Sequence, residues 1–311
     1  MRITHIFRGT TQKTPDMVIT TGRNFSRMPL GYGPCPGPRQ DAKGNQPLQG
    51  WDQVNTKTCT VTFKAPAAQL VALLPRPCFQ IDAETVVEGL AEASISFTSL
   101  GNLPWLAGRG YNHSGLYIHN VICQGKTESV QGKYLSVLFE NLPDPILSGR
   151  EELGYPKLFA TLDQDDNVEA SGDWSLSMGW EGNQFGEVKI SGLRLEVAPP
   201  EPARPGQDVL CFKYIPRTGR PGVADVEYAT VSPAPSPECF KLERMFKAKD
   251  AKIHFEALGF DELPTLHHVA ARLAELDIVS VEDVRIVEGK GAPDYQNQRA
   301  VSTWGYGLST N

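Results

Sequence analysis

The chain has no run of about 18 consecutive apolar residues, so no segment reads as a membrane-spanning helix. It has no excess of basic charge either. The 30 Lys and Arg residues face 36 Asp and Glu, leaving a net charge of -6. Phosphate backbones need a basic face, so nucleic acid is not expected as a partner. Cysteine is sparse, and Cys35, Cys59, Cys78, Cys123, Cys211 and Cys239 show no Cys-x-x-Cys spacing. That pattern points to a reduced, cytoplasmic protein and away from a disulfide framework. The first residues, Met1 to Arg8, lack the apolar core of a secretory signal. The sequons at Asn24 and Asn112 then read as chance matches. Metal-ligand spacing is missing as well. His113 and His119 lie six residues apart on one strand, roughly 20 Å when extended. His267 and His268 have no partner one helical turn on, and are expected to face solvent. No metal and no cofactor are expected. Glycine strings such as Gly31-Tyr32-Gly33 and Gly289-Lys290-Gly291 lack the strand–turn–helix setting of a phosphate loop.

What is present is mostly β pattern. Residues 28–51 hold five prolines and five glycines, which makes an irregular arm. Such an arm could wrap a neighbouring subunit, cover a pocket mouth, or be a poorly ordered leader. From Cys59, apolar Cys59, Val61 and Phe63 alternate with Thr60, Thr62 and Lys64, a half-buried strand. Pro66 to Leu74 reads as a short helix stopped at Pro75. Strands are expected over Ser94–Leu100, Tyr111–Val121 and Tyr134–Glu140. In the second, Tyr111, His113, Tyr117, His119 and Val121 should share one face by period two. Trp174, Leu176, Met178 and Trp180 alternate with small polar residues, and a phase change across Gly192 suggests a β-bulge. A proline-rich link, Pro199–Pro205, precedes strands around Val209–Ile215, Val223–Val231 and Ile253–Phe255. Leu266, Val269, Ala270 and Leu273 form the apolar stripe of one sizeable helix. This fits an α+β fold of mainly antiparallel strands with a few short helices, built on a closed or strongly curved, barrel-like sheet. The expected organisation is an arm over 1–57, one domain over 58–290 and a tail over 291–311.

One segment carries chemistry: Gly149-Arg150-Glu151-Glu152-Leu153-Gly154-Tyr155-Pro156-Lys157-Leu158-Phe159. Apolar neighbours desolvate the Lys157 ammonium and favour the neutral amine, which can attack a ketone and form a Schiff base. The alternative is a lysine whose stem lies on the core while its charge reaches water. The segment resembles the acetoacetate decarboxylase family, whose Schiff-base lysine lies in a Gly-Arg-Glu…Tyr-Pro-Lys string. Leu74-Pro75-Arg76-Pro77…Ile81-Asp82, Tyr111-Asn112-His113-Ser114-Gly115, Phe212-Lys213-Tyr214-Ile215-Pro216 and Glu262-Leu263-Pro264 are similar to further family strings, in order along the chain.

The resemblance implies the barrel-like fold, a homo-oligomer, a small-molecule carbonyl substrate and Lys157 as the covalent nucleophile. It also exposes departures. The family's second lysine is Leu158 here, a family glutamate is His113, another falls near Ser94, and an upstream arginine falls near Thr56, beside Lys57. Arg150 could supply the missing positive potential or anchor a carboxylate; with Glu151 it could also be a surface ion pair. His113 could move a proton or simply bond a backbone carbonyl. Tyr155, Leu158, Ser94, Tyr111 and Trp180 are candidate substrate contacts, although aromatic residues on a strand face are usually core. The expected function is a Schiff-base lyase acting on a β-keto acid or polyketide-like carbonyl compound, in secondary metabolism. An aldolase or dehydratase using the same lysine, or a non-covalent binding protein or cyclase, stays open beside it.

Overall fold

Alternation of period two sets the framework, because it gives each long strand one apolar face and one polar face. The computed structural model describes residues 24–75, 78–196 and 207–301; the Pro199–Pro205 link, the first 23 residues and residues 302–311 lie outside them. In chain order the strands are β1 (Asn55–Pro66), β2 (Phe79–Ile81), β3 (Leu90–Gly101), β4 (Tyr111–Gln124), β5 (Ser129–Glu140), β6 (Lys157–Phe159), β7 (Thr161–Asn167) and β8 (Asp173–Trp180). They continue with β9 (Asn183–Ile190), β10 (Arg194–Leu195), β11 (Val209–Pro216), β12 (Ala224–Ser232), β13 (Lys241–Ala248), β14 (Ala251–Phe255), β15 (Ser280–Lys290) and β16 (Arg299–Ala300). Three short helices are α1 (Ala67–Val71), α2 (Pro143–Ser148) and α3 (His267–Ala274).

The large sheet runs β10-β13-β15-β1-β3-β4-β5-β11-β12-β16, with β2 on β4 and β6 on β5. A smaller sheet runs β14-β9-β8-β7. Pairing is antiparallel except where β6 and β11 meet β5. Mainly antiparallel β structure with few helices is therefore present, but the expected closed barrel is not. The path ends at β10 and β16, and no ladder joins them among the described residues. Each is two residues long, too short to carry a closing seam. No helix among the described residues is long and apolar enough to cross a membrane.

The apolar face of the large sheet packs on the small one. Phe97 meets Trp174 at a ring separation of 5.4 Å, and Phe139 meets Phe185 at 5.1 Å. Cys59, Val61, Phe63, Ile95 and Leu116 fill this core. Two local expectations are corrected here. The register slips between Ile118 and Val121, where Asn120 takes φ +53. The extra residue turns Val121 into the core with Ile118 and leaves His119 on the opposite face. At Gly192 the chain makes a turn at φ +72 and not a bulge; it leaves the small sheet after β9 and joins the large one at β10. The described part of the arm packs on the body: Trp51 and Val54 are buried with Leu103 and Ala292, and Arg27 pairs with Glu152 at 2.6 Å.

Candidate active site

The polar face of the large sheet is laid out in cross-strand rungs. Pairing places Val287, Thr58, Thr98, His113 and Glu140 opposite one another, so their side chains point to one side. The next rung runs Arg285, Thr60, Ser96, Gly115, Leu138 and Lys157. Lys157 thus enters the sheet beside the strand end that carries Glu140.

Local chain geometry delivers the lysine there. α2 follows β5, continues as one wide turn over Gly149–Leu153, and stops at Gly154 with φ +75. That left-handed residue is where glycine costs no strain. Tyr155-Pro156 then leads back into the short strand β6. Gly149 has a second reason. A Cβ there would lie 2.4 Å from Cδ and Cε of Lys157 and 2.6 Å from its Nζ. The lysine stem occupies the space that any side chain at 149 would need.

Lys157 is 5% exposed, and Glu140 is fully buried. Nζ lies 2.8 Å from Glu140 Oε1 and donates a hydrogen bond to the Pro145 carbonyl at 3.0 Å. The contact with Glu140 is charge to charge, since neither carboxylate oxygen has a hydrogen bond of good geometry. Burial raises the Glu140 carboxyl above its ordinary range, against the pull of the lysine. Nζ also sits 5.6 Å from the Tyr155 ring centroid, and Tyr155 Oη bonds Ser232 Oγ at 2.7 Å.

His113 stands on β4, across β5 from Lys157, and both line the same two hollows. Burial, reinforced by the Lys157 charge, pushes its imidazole down to about 3, so the ring is neutral near pH 7. Its Nδ1 is buried without a hydrogen-bond partner among the described residues. A neutral ring with an open nitrogen can make a hydrogen bond, whereas the burial that keeps it uncharged opposes its taking up a proton. The phenols around it are neutral as well: burial lifts Tyr111, Tyr117 and Tyr155 far above their ordinary range and Tyr295 to about 12.

Two hollows meet at Lys157, one of about 550 Å³ and one of about 310 Å³. Tyr111, His113, Tyr155 and Lys157 line both. The larger is also lined by Thr56, Thr58, Thr60 and Thr98, by Leu100, Leu103 and Trp105, and by Pro38 of the arm. The remaining sequence candidates lie away from these linings. Arg150 donates from Nη1 to the Lys157 carbonyl at 3.0 Å, bracing the backbone from outside. Glu151 offers its backbone carbonyl to Lys213. Leu158 points to the opposite side of β6 and packs on the main core, as does Trp180 on the small sheet. Ser94 bonds His119 Nε2 at 2.9 Å, and His119 Nδ1 meets Glu92, a closed relay on the same sheet face. Lys57 pairs with Asp166 and with Glu288 at 2.8 Å, away from the cavity, while its neighbour Thr56 lines it.

Glu140 is the residue that sequence reading missed. The available signal was a lone carboxylate closing the apolar run Val137-Leu138-Phe139, where an unpaired charge is costly and a partner must be found.

Solved structures share this architecture. An acetoacetate decarboxylase superimposes with a TM-score of 0.56 at 12% identity, covering 84% of this chain and 94% of that one. The enduracididine biosynthesis enzyme MppR, in complex with pyruvate, gives 0.55 at 14% identity, over 85% and 96%. An acetoacetate decarboxylase from Legionella pneumophila gives 0.53 at 16% identity, over 80% and 89%. No curated protein matches this chain in sequence. The sequence profile of the acetoacetate decarboxylase family matches residues 34–239, more than half of the 311 residues, and the chain belongs to that family.

Proposed function

We propose that this protein is an enzyme, a Schiff-base-forming lyase that acts on a β-keto acid or related carbonyl compound. The observation that supports this most is Lys157 itself, a buried amine at the junction of two hollows with a buried carboxylate 2.8 Å away. Burying such a pair is costly, and it recurs where a shifted proton is used.

Passing one proton from Nζ to Glu140 leaves a neutral amine and a neutral acid. The amine lone pair attacks the ketone carbon, and loss of water, protonated by an acid in the site, leaves an iminium on Nζ. In a β-keto acid the bond to the carboxylate then breaks. Its electron pair flows into the iminium, giving CO2 and an enamine. The enamine carbon takes a proton, and water hydrolyses the regenerated iminium to free the ketone and the amine. Glu140 is the group placed to carry the proton at each stage, and neutral His113 is placed to hydrogen-bond the substrate. Tyr155, over which Nζ lies, and Tyr111 shape the space around the reacting carbon.

A second branch uses the same iminium. MppR, which shares the fold, has been solved with the condensation product of pyruvate and imidazole 4-carboxaldehyde. A neutral imidazole beside the lysine suits holding an oxygen of the second carbonyl partner by a hydrogen bond in such an aldol-type step. Arg150 and Leu158 lie outside the cavity, and among the described residues the further cation that lines the larger hollow is Arg285 of β15.

The test is CO2 release from a set of β-keto acids of rising chain length. Lys157→Ala should stop release while the far-ultraviolet spectrum is unchanged. Release that survives the substitution would remove the lysine from the chemistry.

A further inference from the structure

The larger hollow has a mixed lining. Thr58 of β1 and Thr98 of β3 bring hydroxyls to it, and Leu100 beyond Thr98 on the same strand face, with Leu103 and Trp105, brings apolar surface. Thr58 Oγ1 and Thr98 Oγ1 lie 3.0 Å apart, and Thr98 is directly opposite His113 in the adjacent strand. Two hydroxyls bring two O–H donors and four lone pairs. Their mutual bond uses one of each, so one donor and three acceptor positions remain between them. Beside them, the Nδ1 of His113 is buried without a partner among the described residues. A lane of open polar positions therefore leads from Lys157 through His113 to the threonine pair, in a hollow that Leu100, Leu103 and Trp105 also line.

We infer that the Thr58–Thr98 pair is a specificity site for an oxygen-bearing chain: the substrate carries a hydroxyl or keto oxygen beyond the reacting ketone, on an otherwise apolar chain. This rests on the Schiff-base reading for the position of the ketone. The spacing sets the reach. Glu140, against which Nζ lies, is on β5 and Thr98 is on β3, two strand spacings or about 10 Å apart. An extended carbon chain with bonds of ~1.52 Å advances about 2.5 Å per two bonds, so the oxygen that meets the threonines lies about eight bonds beyond the reacting ketone. A plain fatty β-keto acid would instead cover the threonines with methylene groups and leave their remaining hydrogen-bonding capacity unused, which costs affinity.

Two ligand pairs test this with the full chain. The first is a straight-chain β-keto acid and its analogue with one hydroxyl about eight carbons beyond the ketone, compared by kcat/KM. The second is the same pair without the ketone, compared by calorimetry, which needs no covalent step. In both pairs the hydroxylated member should be preferred by about tenfold, the worth of one or two hydrogen bonds. The double variant Thr58→Val with Thr98→Val keeps the shape and should bring the ratio to near one, whereas Thr58→Ser with Thr98→Ser should keep the preference. No preference in the ketone-free pair, or a preference that survives the valine variant, would overturn the proposal. Preferred binding of the hydroxylated ketone-free acid without turnover of either keto acid would uphold the subsite and defeat the lyase reading instead.

Discussion

Acid should weaken this fold through His113 in a way that can be isolated. The imidazole titrates at about 3 in the folded chain, because burial and the Lys157 charge both disfavour the cation. Unfolded, the same ring titrates near ~6.5. Between those values the unfolded chain binds the extra proton and the folded chain does not. The stability from this group is therefore complete above about pH 6.5 and falls as the pH falls towards 3. The slope approaches about 1.4 kcal/mol per pH unit, so at about pH 5 the loss is of order 2 kcal/mol. Glu140 runs the other way: its carboxyl is raised, so its contribution is present at low pH and is lost as the pH rises through its folded value. Comparing wild type with His113→Gln removes that background, since Glu140 is common to both. Urea unfolding at several pH values between about 5 and 7.5 gives the difference directly. The wild type should lose stability relative to the glutamine variant as the pH falls, with little difference above pH 7. Parallel curves across the range would show that His113 is solvated and charged in the native protein, and the account of a dry site would fail.

Two other substitutions probe the lysine's seat. Gly149 has helical dihedrals, φ -66 and ψ -41, so alanine suits its backbone and only the Lys157 side chain opposes it. Gly149→Ala should cost about 1–3 kcal/mol by overpacking, yet be neutral or stabilising by up to about 1 kcal/mol in a Lys157→Ala background, where helix preference is all that remains; urea midpoints of the four chains give the cycle, and equal costs in both backgrounds would refute the fit. Glu140→Gln leaves the ammonium with only the Pro145 carbonyl and should destabilise by about 3–5 kcal/mol if the charge persists. Adding Lys157→Met should restore most of that loss, and a double variant as weak as the single one would show that the pair is not the source.

Much of this was legible from residues alone, because alternation is a local property. Cys59-Val61-Phe63 and Trp174-Leu176-Met178 announced their buried faces, and the faces are as read. The lysine segment stood out for the same reason, an amine set among apolar neighbours. Less legible was anything that depends on register. Glu140 meets Lys157 only because β6 returns parallel to β5 after α2 and the wide turn, a path that no local pattern encodes. Ser94 meets His119 because β3 pairs with β4 in a register that sets Ser94 opposite Tyr117, a pairing that no local pattern encodes. The closed barrel failed on strand length, since β10 and β16 cannot seal an edge with two residues each. Gly149 carries a steric demand that becomes visible only when the lysine stem lies against it.

The central claim is that Lys157 bonds covalently to a carbonyl substrate. Incubation of the full chain with a β-keto acid or its product ketone, followed by borohydride reduction, intact mass measurement and peptide mapping, tests it most directly. One adduct per chain should appear on the peptide that contains Tyr155-Pro156-Lys157, and the Lys157→Ala chain should gain no mass. An adduct that persists in that variant, or that maps to the ion-paired Lys57, would contradict the account.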